Sequence, residues 1–409
     1  MKKNGKVLYL FTNNYPYATG ESFLENEIIF TAAKFDKVYI FPRITTDTYI
    51  RQIPDSAVLV NLFDKSFSYN SKAIFFSHFF RIIKILFAEF YHTPEKLFFL
   101  KKIRRWISII SQNINISNHL KSFIEENKQE SLDPVFYSYW MNDWALSCAL
   151  LKQKGDINKF VFRILGYDIY DERWEGNYMP FRYFIYSKTS RVIALSKSAE
   201  KYAKSKNMFS EKATYSYFGT KDYGLGLFIP ENEFTLYSCS NIIALKRINL
   251  IIEVLKNIKF KVKWIHRGAG ELKDQLLEDV KTLPSNISFE LIGRVNSYEE
   301  SLIKTKNTSI NLFMNVSETE GLPVTIMEVI SMGIPVIATD VGGTAEIMND
   351  KTGYLIEKDF DVVKIAQLIT DFKNSKKNTV EYRKGVREYW KENFEATKNY
   401  EKFCELLLS

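Results

Sequence analysis

The sequence predicts an α/β protein of two Rossmann-like domains, each a parallel sheet with helices on both faces. Three observations predict it. The chain has 409 residues, enough for two or three domains of ~100–200 residues each. Short apolar runs alternate with helix-like patterns over nearly the whole length, which is how parallel strands joined by helical crossovers read in sequence. A Gly-rich stretch from Gly219 to Pro230, followed by polar Glu231-Asn232-Glu233, separates two such series and has the composition of an inter-domain linker.

In the first series, strands are expected at 7–11, 38–41, 135–139, 160–163, 192–195 and 215–218. In the second they are expected at 235–239, 261–266, 287–292, 309–313 and 335–339. The first run, Val7-Leu-Tyr-Leu-Phe11, is short and is followed by Thr12-Asn-Asn-Tyr-Pro16 with no small-residue cleavage site. It therefore reads as a buried first strand rather than as a signal peptide. Helices are expected at 21–33, 249–256, 271–282 and 325–332. From Thr379 the spacing of Val386, Tyr389, Trp390 and Phe394, then Phe403, Leu406 and Leu407, is again helical. The expected domains are 1–225 and 226–390, with a helix at 391–409 crossing back onto the first. Ligands in such sheets bind beyond the carboxyl ends of the strands.

Hydrophobic residues make up 46% of the chain and charged ones 25%, which excludes a disordered or fibrous protein. Cys148, Cys239 and Cys404 are too scattered for a disulfide scaffold or a Cys-based zinc site and suit a reducing, cytoplasmic setting. The four His (78, 92, 119, 266) lack ligand spacing, so no metal is expected. No uncharged apolar run reaches the ~18–20 residues of a membrane span. The net charge of +8 is local: residues 71–122 hold nine Lys/Arg against Glu89 and Glu95. Within it, 75–90 places Ser77, Arg81 and Lys84 on one helical face. The stretch 95–110 aligns Phe99, Ile103, Trp106, Ile107 and Ile110, with Lys101, Lys102, Arg104 and Arg105 largely off that stripe. Basic, aromatic, amphipathic helices suit an anionic membrane surface, and contact through about 75–110 is expected. No zinc finger, RNP-like or helix-turn-helix signature supports nucleic acid.

The most informative stretch is Ser317-Glu-Thr-Glu320-Gly-Leu-Pro323-Val-Thr-Ile-Met-Glu328-Val-Ile-Ser-Met-Gly333-Ile-Pro-Val-Ile-Ala-Thr-Asp340-Val-Gly-Gly343. Pro323 suits the first turn of a helix, and Gly333 and Pro335 end it. The backbone of Gly321, Leu322, Pro323 and the next two residues then presents N–H groups at a helix N-terminus, a site for a diphosphate. Glu320 sits at the mouth of that helix and Glu328 about a turn and a half inside. Carboxylates at the two places can hold two sets of hydroxyls. Gly268-Ala-Gly270 lacks the third Gly of a dinucleotide fingerprint and is weak evidence for a nucleotide, and no Gly-x-Gly-x-x-Gly follows the first strand, which argues against an oxidoreductase.

This stretch resembles the signature of family-4 retaining glycosyltransferases, whose two-domain fold is called GT-B. Their pattern is Ser-x-x-Glu-Gly-(Phe/Leu)-Pro, then Glu-Ala-Met-Ala-x-Gly-x-Pro-Val and Asp-x-Gly-Gly. The resemblance implies two facing domains and a UDP- or GDP-sugar as donor substrate, with no permanently bound cofactor. It also implies a glycan or lipid-linked hydroxyl as acceptor, and bacterial surface polysaccharide assembly as setting. It gives Glu320 and Lys246 catalytic positions: Glu320 holds the sugar and Lys246 the leaving diphosphate. Glu328 meets the ribose, and Arg247, Gly321, Leu322 and Pro323 the diphosphate. Val295 lies near the base and Gly20 in a first-domain loop approaching the donor. Two departures stand out. Leu165 replaces a customary His beside Arg163 and Asp168, and Asn241 replaces a customary Arg. They leave a second reading open, a GT-B partner that binds nucleotide sugar or glycan without efficient transfer.

Overall fold

The computed structural model describes residues 5–17, 21, 23–45, 51–63, 70–93, 95–128, 133–205, 211–230, 233–293 and 298–409. The chain divides into two compact units, Met1–Tyr217 with Tyr400–Ser409, and Phe218–Asn399. The division falls at 217/218, ahead of the Gly-rich stretch. Thr220 explains this: its N–H donates to the Phe394 carbonyl at 2.9 Å, and its hydroxyl accepts from the Trp390 indole at 2.7 Å. The start of the linker is thus built into the second unit.

In the first unit, β1 (Val7–Thr12), β2 (Lys37–Pro42), β3 (Ala57–Leu59), β4 (Val135–Ser138), β5 (Phe160–Ile164), β6 (Arg191–Ala194) and β7 (Ala213–Tyr215) form one sheet in the order β3-β2-β1-β4-β5-β6-β7. Every pairing is parallel. Its helices are α1 (Phe23–Ala32), α2 (Ser71–Ser77), α3 (Phe79–His92), α4 (Lys96–Glu126), α5 (Asp143–Lys154), α6 (Arg182–Lys188) and α7 (Lys197–Ser205). All six residues of β1 are buried, as expected where helices cover both faces of a parallel sheet. That is why the run is apolar without alternation. The amphipathic segment at 95–110 is only the first half of α4, which is 31 residues long in all. The continuation carries Asn113, Asn115 and Asn118, poor helix formers, and packing overrides that preference by burying Ile110, Ile114, Ile116 and Leu120.

In the second unit, β8 (Phe234–Cys239), β9 (Val262–Arg267), β10 (Ile287–Ile292), β11 (Leu312–Asn315), β12 (Val336–Thr339) and β13 (Gly353–Ile356) form a parallel sheet in the order β10-β9-β8-β11-β12-β13. The helices are α8 (Ile248–Leu255), α9 (Lys273–Asp279), α10 (Tyr298–Lys306), α11 (Val324–Ser331), α12 (Val362–Lys373) and α13 (Val380–Asn393). Read from its own first strand, this sheet has the Rossmann order 3-2-1-4-5-6. The architecture is that of GT-B proteins. The edge strands β3 and β13 are not among the expected strands: no residue of β3 and two of β13 are buried, so neither reads as an apolar run.

The last helix, α14 (Ala396–Leu408), starts in the second unit and ends in the first. There the Phe403 ring lies 4.0 Å from the Arg163 guanidinium. Arg163 pairs with Glu27 at 3.3 Å, both wholly buried, and the Tyr137 hydroxyl donates to Glu27 at 2.9 Å. Removing one member would strand a buried charge, at a cost of about 3–5 kcal/mol. Arg163 therefore anchors the C-terminal helix, and it is not paired with Asp168. Asp168 instead accepts from the backbone N–H groups of Met141, Leu165 and Gly166.

A second buried carboxylate, Glu89 on α3, accepts from the Tyr178 hydroxyl at 2.8 Å and from the Phe181 N–H. Burial pushes it up to about 7. A carboxyl raised in the folded state above its unfolded value opposes folding where it must ionise, so the penalty grows from about pH 4.5 to 7. Glu89→Gln should stabilise the protein above pH 7 by on the order of 2–3 kcal/mol and be neutral below pH 4.5. Urea melts of both proteins at the two pH values check this.

Candidate functional site

The strand order reverses between β8 and β11. The β8 chain leaves toward β9 on one side, while the β11 chain leaves toward β12 on the other. A crevice opens between the diverging loops, as it does at such switch points generally. Its lining comes from both: Ser238, Cys239, Ser240, Lys246, Ile248 and Ile251 from the β8 side, and Met314, Asn315, Val316 and Ser317 from the β11 side.

Lys246 and Glu320 meet at this crevice. Lys246 ends a 3-10 turn, Ala244–Lys246, just before α8. Glu320 lies in the loop between β11 and α11. Lys246 Nζ stands 2.6 Å from Glu320 Oε1, with the two side chains 22% and 12% exposed. The Ser317 hydroxyl donates to the same oxygen at 2.6 Å and Asn315 Nδ2 reaches it at 3.4 Å. Asn315 Oδ1 in turn accepts the Ser317 N–H at 3.0 Å. The carboxylate is thus held by three donors while its partner cation stays at the crevice wall. A hydrogen bond from Glu318 N to the Leu245 carbonyl, 2.8 Å, ties the two loops directly.

Gly321, Leu322 and Pro323 form the turn into α11, with Pro323 as its N-cap rather than its first helical residue. The first two helical N–H groups, those of Val324 and Thr325, have no preceding carbonyl within the helix. Glu328, 2% exposed, sits on α11. It faces the charge of Arg267 at the end of β9 and helps hold that guanidinium in its protonated form.

Arg247, the expected diphosphate contact, follows Lys246 directly. It takes the left-handed conformation, φ 46, which costs a non-Gly residue about 1–2 kcal/mol. Its guanidinium is committed to main-chain carbonyls: Nε to Val316 at 2.8 Å, and Nη2 to Lys358 at 2.7 Å and Ser317 at 3.4 Å. It braces the β11 loop from behind. Val295 and Gly20 lie outside the described residues.

Sequence reasoning passed over Asn315 and Ser317 as ligands of Glu320. It also passed over Arg267, whose Nε lies 3.2 Å from the sulfur of crevice-lining Cys239 and whose Nη1 reaches the hydroxyls of Ser301 and Thr305. Its signal was its place directly before Gly268-Ala-Gly270. The one Asp-x-Asp triplet, Asp359-Phe360-Asp361, is committed elsewhere. Asp361 caps α12 and Asp359 lies 3.7 Å from Arg247.

Two glycines of the sequence pattern are explained by backbone contact. A Cβ on Gly268 would lie 1.9 Å from the Ser240 carbonyl oxygen, because the loops after β8 and β9 run against each other. Gly342, at φ 55, would place a Cβ 1.9 Å from the Glu320 carbonyl oxygen. Gly342→Ala should cost at least about 2 kcal/mol, from the left-handed backbone and the overlap. Gly385, on an uncrowded turn of α13, is the contrast: Gly385→Ala should gain up to about 1 kcal/mol. Thermal melts of the two variants check the opposite signs.

Several known proteins are similar to this chain. An O-antigen biosynthesis glycosyltransferase, WclY, of Escherichia coli is 24% identical over 175 residues, 43% of this chain and 46% of that protein. The N-acetyl-alpha-D-glucosaminyl L-malate synthase of Bacillus anthracis is 29% identical over 140 residues, 34% of each chain. The matched region thus spans less than half the length of these curated relatives. Among solved structures, Anabaena Alr3699/HepE in complex with UDP superposes with a TM-score of 0.66 at 14% identity, covering 98% of this chain and 99% of that one. The same protein is also known in complex with UDP-glucose. Residues 226–393, the second unit almost in full, match the family described as glycosyl transferases group 1.

Proposed function

We propose that the protein is a retaining glycosyltransferase of family 4. It moves a hexosyl group from a UDP- or GDP-sugar to a hydroxyl of a glycan or lipid-linked acceptor in the assembly of a bacterial surface polysaccharide. The donor belongs to the 226–390 domain and the acceptor to the 1–225 domain. The observation that carries the reading is the Lys246–Glu320 pair at the switch-point crevice, within the stretch that matches the glycosyl transferases group 1 model. Relatives named for O-antigen synthesis support the setting. The UDP complexes of a structural neighbour support the donor class.

In this reading Lys246 turns to the diphosphate. The bond from the anomeric carbon to the phosphate oxygen breaks with negative charge growing on the leaving group, and a fixed cation opposes that charge. Glu320, already oriented by Ser317 and Asn315, accepts hydrogen bonds from sugar hydroxyls. Glu328 takes the ribose hydroxyls. The acceptor oxygen bonds the anomeric carbon as the departing phosphate receives its proton, so the step needs no protein nucleophile. Arg247 positions the β11 loop.

Lys246→Ala should lower kcat/KM for transfer by roughly 10²–10³-fold, the range seen for loss of one electrostatic stabiliser, with an unchanged melting temperature. Glu328→Ala should raise KM for the donor as well as lower kcat. Radiolabelled sugar transfer to isolated membrane acceptor, with donor hydrolysis as a second readout, checks both. Wild-type rates in both variants would remove these roles. A chain that binds nucleoside diphosphates by calorimetry yet neither transfers nor hydrolyses the donor would instead be the non-catalytic partner that Leu165 and Asn241 bring to mind.

A further inference from the structure

Helix α3 is apolar on two opposite faces. One, with Ile82, Ile85 and Leu86, is buried in the first unit's core. The other carries Phe80, Ile83, Phe87 and Tyr91, spaced three and four residues apart, and they are 85%, 42%, 74% and 76% exposed. A helix at a protein surface ordinarily shows water a polar face. On the neighbouring helices Phe76 of α2 is 74% exposed, and Leu97 and Leu100 at the start of α4 are 73% and 57% exposed. Large apolar side chains exposed together on one helical face mark an interaction site rather than scattered exposure.

The charges around it select the partner. Lys84 lies on the same outward face of α3 as Phe80 and Phe87, and Lys101 and Arg104 lie on the face of α4 that carries Leu97 and Leu100; all three are exposed. Arg81, by contrast, is tied inward, to the Leu150 carbonyl at 2.7 Å and to Gln153 at 3.1 Å. A second copy docked symmetrically would bring these cations against their own kind. No helix among the described residues is long and apolar enough to cross a membrane.

We propose that the outward face of α3, with the adjoining ends of α2 and α4, lies in the headgroup layer of an anionic lipid bilayer. Phe80, Phe87 and Tyr91 enter the acyl boundary, and Lys84, Lys101 and Arg104 meet lipid phosphates. The proposal needs no donor chemistry, so it stands or falls apart from the transfer reaction.

Flotation of the full chain with vesicles tests it, comparing phosphatidylglycerol–phosphatidylcholine mixtures with phosphatidylcholine alone. The expected result is binding to the anionic vesicles that weakens with salt. Phe80→Ser with Phe87→Ser should weaken it at least about tenfold, and Lys84→Gln and Lys101→Gln about fivefold each. These side chains are exposed, and unchanged thermal melts confirm that the variants fold. If the aromatic pair perturbs the melt, the two Lys variants carry the test on the same surface. No flotation at low salt, equal binding to neutral vesicles, or wild-type binding by the variants would overturn the proposal. So would a concentration-dependent dimer that the Phe80→Ser, Phe87→Ser variant dissolves, which would give the face to a second copy.

Discussion

The constraint on which the site depends is the reversal of strand order beside β8. In a parallel sheet all carboxyl ends lie along one edge, and their loops crowd one another except where successive connections leave in opposite directions. That gap falls between β8 and β11. Lys246 reaches it from one loop and Glu320 from the other. The loops are fixed from outside the gap. Gly268 lets the β9 loop press on Ser240, Gly342 lets a later loop press on Glu320, and Arg247 clamps three carbonyls. Arg247 takes a left-handed φ of 46, and its side chain bonds the carbonyls of Val316 and Ser317 while that of Lys246 meets Glu320.

A cation and a carboxylate 2.6 Å apart at a half-buried wall form a preset charge arrangement. With three donors on Glu320 Oε1, the carboxylate keeps its orientation through Ser317 and Asn315 if Lys246 leaves it for a more highly charged partner. Little reorganisation is then required at the moment of reaction, which is where electrostatic catalysis gains most. In the first unit a buried ion pair does structural work instead. Arg163 and Glu27 hold the C-terminal helix against the sheet.

Much of this was legible in sequence because both sheets are parallel and covered. Strands such as β1 and β12 read as apolar runs, and the fold class followed from their alternation with helices. The edge strands β3 and β13 did not, being only partly covered. The length of α4 was hidden by Asn residues whose preference is overridden by packing. At the site, the sequence pattern singled out Lys246, Glu320 and Glu328, and the structure brings Lys246 and Glu320 to within 2.6 Å. The contacts of Asn315, Ser317 and Arg267 could not be read from sequence, because they join loops far apart in the chain. Nor could the left-handed φ of Arg247, since adjacency to Lys246 says nothing of backbone conformation. On α3 the composition was visible, but which apolar residues face water depends on what the helix packs against.

We propose that the crevice between β8 and β11 takes the diphosphate of a nucleotide donor, and a crystal structure of the protein grown with UDP is the decisive measurement. The diphosphate is expected beyond the ends of β8 and β11, within hydrogen-bond distance of Lys246 Nζ, with the ribose hydroxyls on Glu328 and Glu320 left to face the sugar. UDP bound elsewhere, with the Lys246–Glu320 pair intact and no phosphate beside it, would rule this out.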